Sequence, residues 1–165
     1  MSGCVLFQSA MPAPTLLDAN VLAMLDTINL NEIDAASLAK QKASSEDTLM
    51  FAARMLNEHT MMLQDTRQLA QRIHIQSQPP ALASNATQTH QTIMEELRKL
   101  SDRDFDRAYL KYQITMHEQA IKLVQDTYNF VGNPHLQQHL RKVHPDLIGH
   151  LSAAVALERQ LITQY

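Results

Sequence analysis

The feature that most constrains this chain is an apolar stripe that recurs at helical spacing in four separate segments. The stripes begin at Leu17, Ala52, Leu110 and Val143. Spacings of three and four residues place such side chains on one face of an α-helix, and that face needs a partner surface. Because only three of the 165 residues are glycine and 45% are hydrophobic, we predict one all-α domain with a real core.

Breaks between the stripes predict where the helices end. Ser44–Ser45 separates the first two, a proline-rich loop covers 77–86, and Gly132-Asn133-Pro134 separates the last two. A short amphipathic segment, His90 to Leu100, lies inside a connection of about 25 residues, long enough to run the length of a bundle. We therefore predict a ferritin-like four-helix bundle over 15–165, with a short helix in the long crossover between helices 2 and 3.

Two serines, each followed by aspartate three residues later, predict helix starts. The pairs are Ser44 with Asp47, and Ser101 with Asp104. Such side chains satisfy the free N–H groups of a first turn. The second and third long helices are therefore expected to begin just after Ser44 and Ser101.

Composition excludes some functions but does not decide the role of the N-terminal segment. The net charge is −3, with 14 basic residues spread among 17 acidic ones, so no nucleic-acid partner is expected. No apolar run is long enough for a transmembrane segment. Residues 1–14 are predicted to be a flexible tail, in which Met1-Ser2-Gly3-Cys4 resembles a lipoprotein cleavage box without its usual preceding regions. Cys4 is either a lipid anchor or an incidental thiol.

Four polar residues interrupt the apolar stripes: Glu32, His59, His117 and His150. Glu32 lies about 12 residues before Ser44 and His59 about 15 after it, so their heights differ by only roughly 5 Å. His117 and His150 lie about 15 residues before and about 18 residues after Gly132, which places them near mid-bundle as well. We therefore expect all four side chains to meet in one layer.

A buried carboxylate and three imidazoles suit a zinc, iron, manganese or copper ion, so one interpretation is that a transition metal is bound here as a cofactor. The alternative is a metal-free cluster in which the same groups hydrogen-bond one another. No catalytic residue is predicted. Di-iron chemistry is disfavoured, because the sequence has no glutamate followed by histidine three residues later.

Other candidates are weaker. Met55, His59 and Met62 share a face that suits a soft metal, although methionine is also ordinary filler of helical cores. His135 and His139 stand four apart and could bind a surface metal, although such pairs are more often simply solvated. Pro145, with a glycine four residues later, predicts a kink in the last helix just before His150.

Three stretches resemble a known family: ASLAKQKASS at 36–45, FAARMLNEH at 51–59 and DFDRAYL at 104–110. The chain resembles the bacterial family called domain of unknown function 4142 over about residues 22–160, including His117, Pro145 and His150. The resemblance implies a ferritin-like bundle that is exported to the periplasm, often labelled an outer-membrane or exported protein, without an established enzymatic activity.

These observations leave three functional hypotheses. The first is a non-catalytic periplasmic ferritin-like bundle, in which the central Glu32, His59, His117 and His150 either bind a transition metal or stabilise the core as a polar layer. The second is a mononuclear metal enzyme with an open position for water. The third is a helical interaction module without metal, which would display an exposed apolar patch. The sequence identifies no partner and no oligomeric state.

Overall fold

The computed structural model describes residues 16–80 and 83–163, and these form five α-helices and no β-strand. The helices are α1 (Leu16–Lys42), α2 (Glu46–Arg72), α3 (Ala83–Lys99), α4 (Asp102–Thr127) and α5 (Pro134–Thr163). The predicted all-α bundle is confirmed. The tail at 1–14, with Cys4, lies outside the described residues. None of the helices described is long and apolar enough to cross a membrane.

The four long helices surround one core. Helix α1 packs on α2 and α4, and α5 packs on the same two helices. The short links make α1 antiparallel to α2 and α4 antiparallel to α5. Helix α3 lies outside this ring against α1 and α4, where His90 contacts Tyr112 Oη at 2.9 Å and Asp34 Oδ2 at 3.1 Å. The crossover helix is thus confirmed, while the ferritin-like arrangement stays a prediction.

The helix starts differ in detail from the predictions. Ser45 rather than Ser44 caps α2, and its Oγ accepts a hydrogen bond from the Thr48 N–H at 3.4 Å. Ser101 occupies the N-cap position of α4, but its side chain makes no capping hydrogen bond. Helix α3 begins at Ala83, inside the segment predicted as loop, because the proline pair ends before it.

Two buried aspartates hold the tight links of the bundle. Asp106, near the start of α4, accepts hydrogen bonds from the Ser44 N–H, the Ser44 hydroxyl and the Ser45 N–H. At the other end, Asp18 on α1 accepts one from the Gly132 N–H at 2.8 Å. Each aspartate thus joins the α1–α2 hairpin to the α4–α5 hairpin. These contacts fix the position of one hairpin relative to the other along the bundle axis, and therefore the relative heights of their side chains.

Candidate metal centre

A polar layer divides the bundle core into two apolar clusters. On α1, one cluster includes Leu22 and Leu25, and the other includes Ala35 and Ala39. The other long helices, α2, α4 and α5, likewise contribute residues to both clusters. Buried polar residues between the clusters include Asn29, Glu32, His59, Gln113, His117 and His150, which are at most 4% exposed. The four residues predicted to meet near mid-bundle are thus all buried between the two clusters.

Three histidines of this layer converge on one point. His59 Nε2 lies 3.4 Å from His117 Nε2, which lies 3.2 Å from His150 Nδ1. One ring nitrogen from each histidine lies within 4.8 Å of those of the other two. Two imidazoles bound to one tetrahedral zinc ion, at about 2.0–2.1 Å each, have nitrogens about 3.3–3.4 Å apart. The two separations, 3.4 and 3.2 Å, are close to that requirement.

The neighbours of His59 determine which ring nitrogen carries its proton. His59 Nδ1 lies 2.9 Å from Asn29 Oδ1. The Asn29 amide nitrogen donates to the Leu25 carbonyl at 2.9 Å, which orients its oxygen toward the ring. Because an amide oxygen only accepts hydrogen bonds, the His59 proton is on Nδ1 and its Nε2 carries a lone pair.

His117 and His150 are fixed in the same way by acceptors. His117 Nδ1 donates to the Gln113 backbone carbonyl at 2.8 Å. His150 Nε2 donates to Glu58 Oε2 at 2.5 Å. The free lone pairs are therefore on His117 Nε2 and His150 Nδ1, which are the nitrogens that face the shared centre.

The environment keeps the three rings neutral. Burial lowers the pKa of His59 well below its ordinary value, and the nearby His117 and His150 lower it further. Burial likewise lowers the pKa of His117 to about 4. The pKa of His150 is also lowered by burial, although its hydrogen bond to Glu58 opposes the shift. Three neutral imidazoles with converging lone pairs repel one another unless a cation or a hydrogen-bond donor such as water lies between them.

Glu32 lies outside this group. Its Oε2 accepts a hydrogen bond from the Gln113 side-chain amide at 2.5 Å, so Glu32 faces α4 one turn before His117. Its Oε1, the Gln113 Oε1 and the Tyr109 hydroxyl have no hydrogen-bond partner among the described residues. Burial raises the pKa of Glu32 to about 8, although the hydrogen bond from Gln113 opposes the shift. Glu32 is therefore predominantly a neutral acid at pH 7.

Glu58 is a site residue that the sequence reasoning missed. It precedes His59 on α2, yet its carboxylate binds His150 on α5 and also accepts from Arg54 Nε at 2.9 Å. Burial raises the pKa of Glu58, but the hydrogen bonds with Arg54 and His150 outweigh that effect and leave the pKa below its ordinary value. Glu58 does not belong to the apolar stripe of α2, so the stripe alone does not indicate it. The sequence pattern that could have indicated it is an acidic residue next to a histidine of the stripe, with an arginine one helical turn earlier.

Two further histidines, His90 and His139, are buried. His90 anchors α3, as described above. His139 is 9% exposed, and its Nε2 lies 3.0 Å from the hydroxyl of Thr66. The interpretation of His139 as a solvated residue is therefore wrong. Neither histidine belongs to the converging group.

The comparisons with known proteins identify a family without an assigned activity. The family profile described as "Domain of unknown function (DUF4142)" matches residues 6–157. No curated protein and no solved structure matches the chain.

Proposed function

Since the chain belongs to the DUF4142 family, whose description gives no activity, we propose a function from the site itself: the bundle binds one transition-metal ion. The ligands are His59 Nε2, His117 Nε2 and His150 Nδ1. The observation that carries this proposal is that each of the three rings donates its only proton outward, to Asn29, the Gln113 carbonyl or Glu58.

This arrangement is the one that metal-binding histidines require. A ligating imidazole must present a lone pair, and an outer acceptor that takes its other N–H fixes the tautomer and makes the ring more basic. Here an amide oxygen, a backbone carbonyl and a carboxylate serve as the three acceptors. A metal-free cluster would instead gain from N–H groups that point between the rings, and these acceptors disfavour that arrangement.

The ligand set narrows the choice of metal. Imidazole nitrogens suit zinc, copper and iron, whereas manganese prefers carboxylate and other oxygen ligands. With Glu32 turned toward Gln113, manganese is the least favoured of the four ions considered. Zinc bound by three histidines keeps a fourth position for water.

We favour a metal-binding protein without catalytic activity over a metal-dependent enzyme. The three histidines are at most 1% exposed, so a substrate has no direct access to their nitrogens in this conformation. The mononuclear enzyme remains the alternative, and it requires an opening that admits substrate to the fourth position.

The proposal is tested with metal-free protein that carries no histidine tag, titrated with Co²⁺ and Zn²⁺. We expect one ion per chain, with the visible spectrum of tetrahedral Co²⁺, because three fixed imidazoles leave room for one more ligand. His59→Ala and His117→Ala should each abolish this binding. Elemental analysis after dialysis provides the stoichiometry.

Two variants serve as controls. His139→Ala removes a buried histidine outside the centre and should still bind one ion. Glu32→Gln tests whether the carboxylate is a fourth ligand, as the sequence suggested. If this variant binds Co²⁺ and Zn²⁺ with the affinity of the parent, the three histidines are the only protein ligands among these four residues. If His59→Ala and His117→Ala retain the parent stoichiometry, the layer is a metal-free polar cluster.

We also propose that the protein is exported to the periplasm and held at the outer membrane by a lipid on Cys4. The support is the order Met1-Ser2-Gly3-Cys4, in which a small residue precedes the cysteine. Expression of the whole gene in a bacterium fed labelled palmitate should label the protein in the membrane fraction. Cys4→Ser should abolish the label, and an unlabelled parent in the cytoplasmic fraction would contradict the proposal.

A further inference from the structure

We propose that Glu58 and Arg54 form a gate over the metal centre, and that the ion enters and leaves past His150. This inference rests on the proposed metal-binding function and adds the route and the control of exchange. Of the groups that fix the three rings, Glu58 is the one whose side chain is substantially exposed, at 34%.

The geometry around His150 places the gate between solvent and the centre. His150 turns Nδ1 toward the other two histidines and Nε2 toward Glu58. The His150 side chain itself is 0% exposed. Glu58 therefore covers the outer edge of the ring, and the ring covers the metal position.

Arg54 holds Glu58 in this covering position through a contact that breaks easily. Arg54 Nε donates to Glu58 Oε1 at 2.9 Å across one turn of α2. The Arg54 side chain is 46% exposed, and exposed ion pairs of this kind contribute little net stability. When the pair opens, Glu58 is free to turn toward solvent and release His150.

Helix α5, which carries His150, contains a proline and a glycine shortly before that histidine. Pro145 lies inside α5, and it has no N–H to donate to the preceding turn. Gly149 directly precedes His150, and a Cβ at this position would meet no atom within 4 Å. Packing therefore does not require glycine there, and its main effect is greater backbone freedom. Helices α2 and α4, which carry His59 and His117, contain neither proline nor glycine.

Rates of Co²⁺ uptake and release test the gate. Stopped-flow absorbance measures uptake by metal-free protein, and transfer to an excess chelator measures release. Arg54→Ala should raise both rates by about two- to fivefold, because it removes the holding contact. Gly149→Ala should lower both by about two- to fivefold, because alanine stiffens the helix. The equilibrium affinity should stay within about twofold in each variant.

Lys122→Ala is the matched control, since it breaks another exposed ion pair across one helical turn, with Asp126 on α4 at 2.7 Å. Its rates should equal those of the parent. If Arg54→Ala and Gly149→Ala bind one Co²⁺ at parental rates, the gate is rejected while the metal site stands. If Arg54→Ala changes release alone and weakens affinity, Arg54 only positions Glu58 and the gate is likewise rejected. A parent that binds no Co²⁺ rejects both proposals.

Discussion

Replacing Glu32 with glutamine is expected to stabilise the protein by an amount that grows with pH. Glu32 is 1% exposed, and burial raises its pKa to about 8 from an ordinary value of 4.5. In the unfolded chain the carboxyl loses its proton above about pH 4.5, whereas in the folded protein it keeps the proton up to about pH 8. The folded protein therefore loses stability as the pH rises between these values.

The raised pKa of Glu32 lowers the free energy of unfolding by an amount on the order of 3–5 kcal/mol above pH 8. Below pH 4.5 it lowers that free energy hardly at all. Glutamine keeps an oxygen that accepts from the Gln113 amide but does not ionise. Urea unfolding at pH 5 and pH 9 should show the variant close to the parent at pH 5 and more stable by a few kcal/mol at pH 9. Glu118→Gln, at an exposed position of α4, is the control. An equal effect of Glu32→Gln at both pH values would show that Glu32 is not a buried neutral acid.

The fold was predictable because one periodicity dominates the chain. The apolar stripes that begin at Leu17, Ala52, Leu110 and Val143 coincide with α1, α2, α4 and α5. The Gly132-Asn133-Pro134 boundary is also confirmed, since Asn133 Oδ1 accepts from the N–H groups of His135 and Leu136. The predictions of individual capping hydrogen bonds at the starts of α2 and α4 were wrong. A serine that is free to cap its own helix can instead bind elsewhere, as Ser44 does with Asp106 on another helix.

Part of the site was predictable for the same reason, because counting residues from a tight link gives the height of a side chain along the bundle. Height does not give the direction of a side chain around the helix axis. Glu32 has the right height but meets Gln113 on α4, while the histidine centre lies among α2, α4 and α5. Helix α1 contributes a support instead, through the bond of Asn29 to His59.

The three central histidines should make the metal-free protein sensitive to acid. An unfolded histidine binds a proton below about pH 6.5, whereas burial lowers the pKa of His117 to about 4 and that of His59 well below its ordinary value. These groups stabilise the fold above pH 6.5, and that stabilisation is lost as the pH falls from 6.5 through the folded pKa values. For His117 alone, the loss by pH 4 is about 3 kcal/mol.

The number of protons taken up on unfolding distinguishes the effect of the three histidines from general acid denaturation, because it sets the slope of the free energy of unfolding against pH. Three neutral histidines give a slope of up to about 4 kcal/mol per pH unit in the free energy of unfolding, and His117→Gln should reduce it by about 1.4. Urea unfolding at several values between pH 4 and pH 7 measures the slope, with His74→Gln at an exposed position as the control. Saturating Zn²⁺ should move the loss of stability to lower pH, because metal and protons compete for the same nitrogens. Equal slopes for His117→Gln and the parent would mean that His117 is already a doubly protonated imidazolium in the folded protein, which leaves no lone pair to direct at a metal.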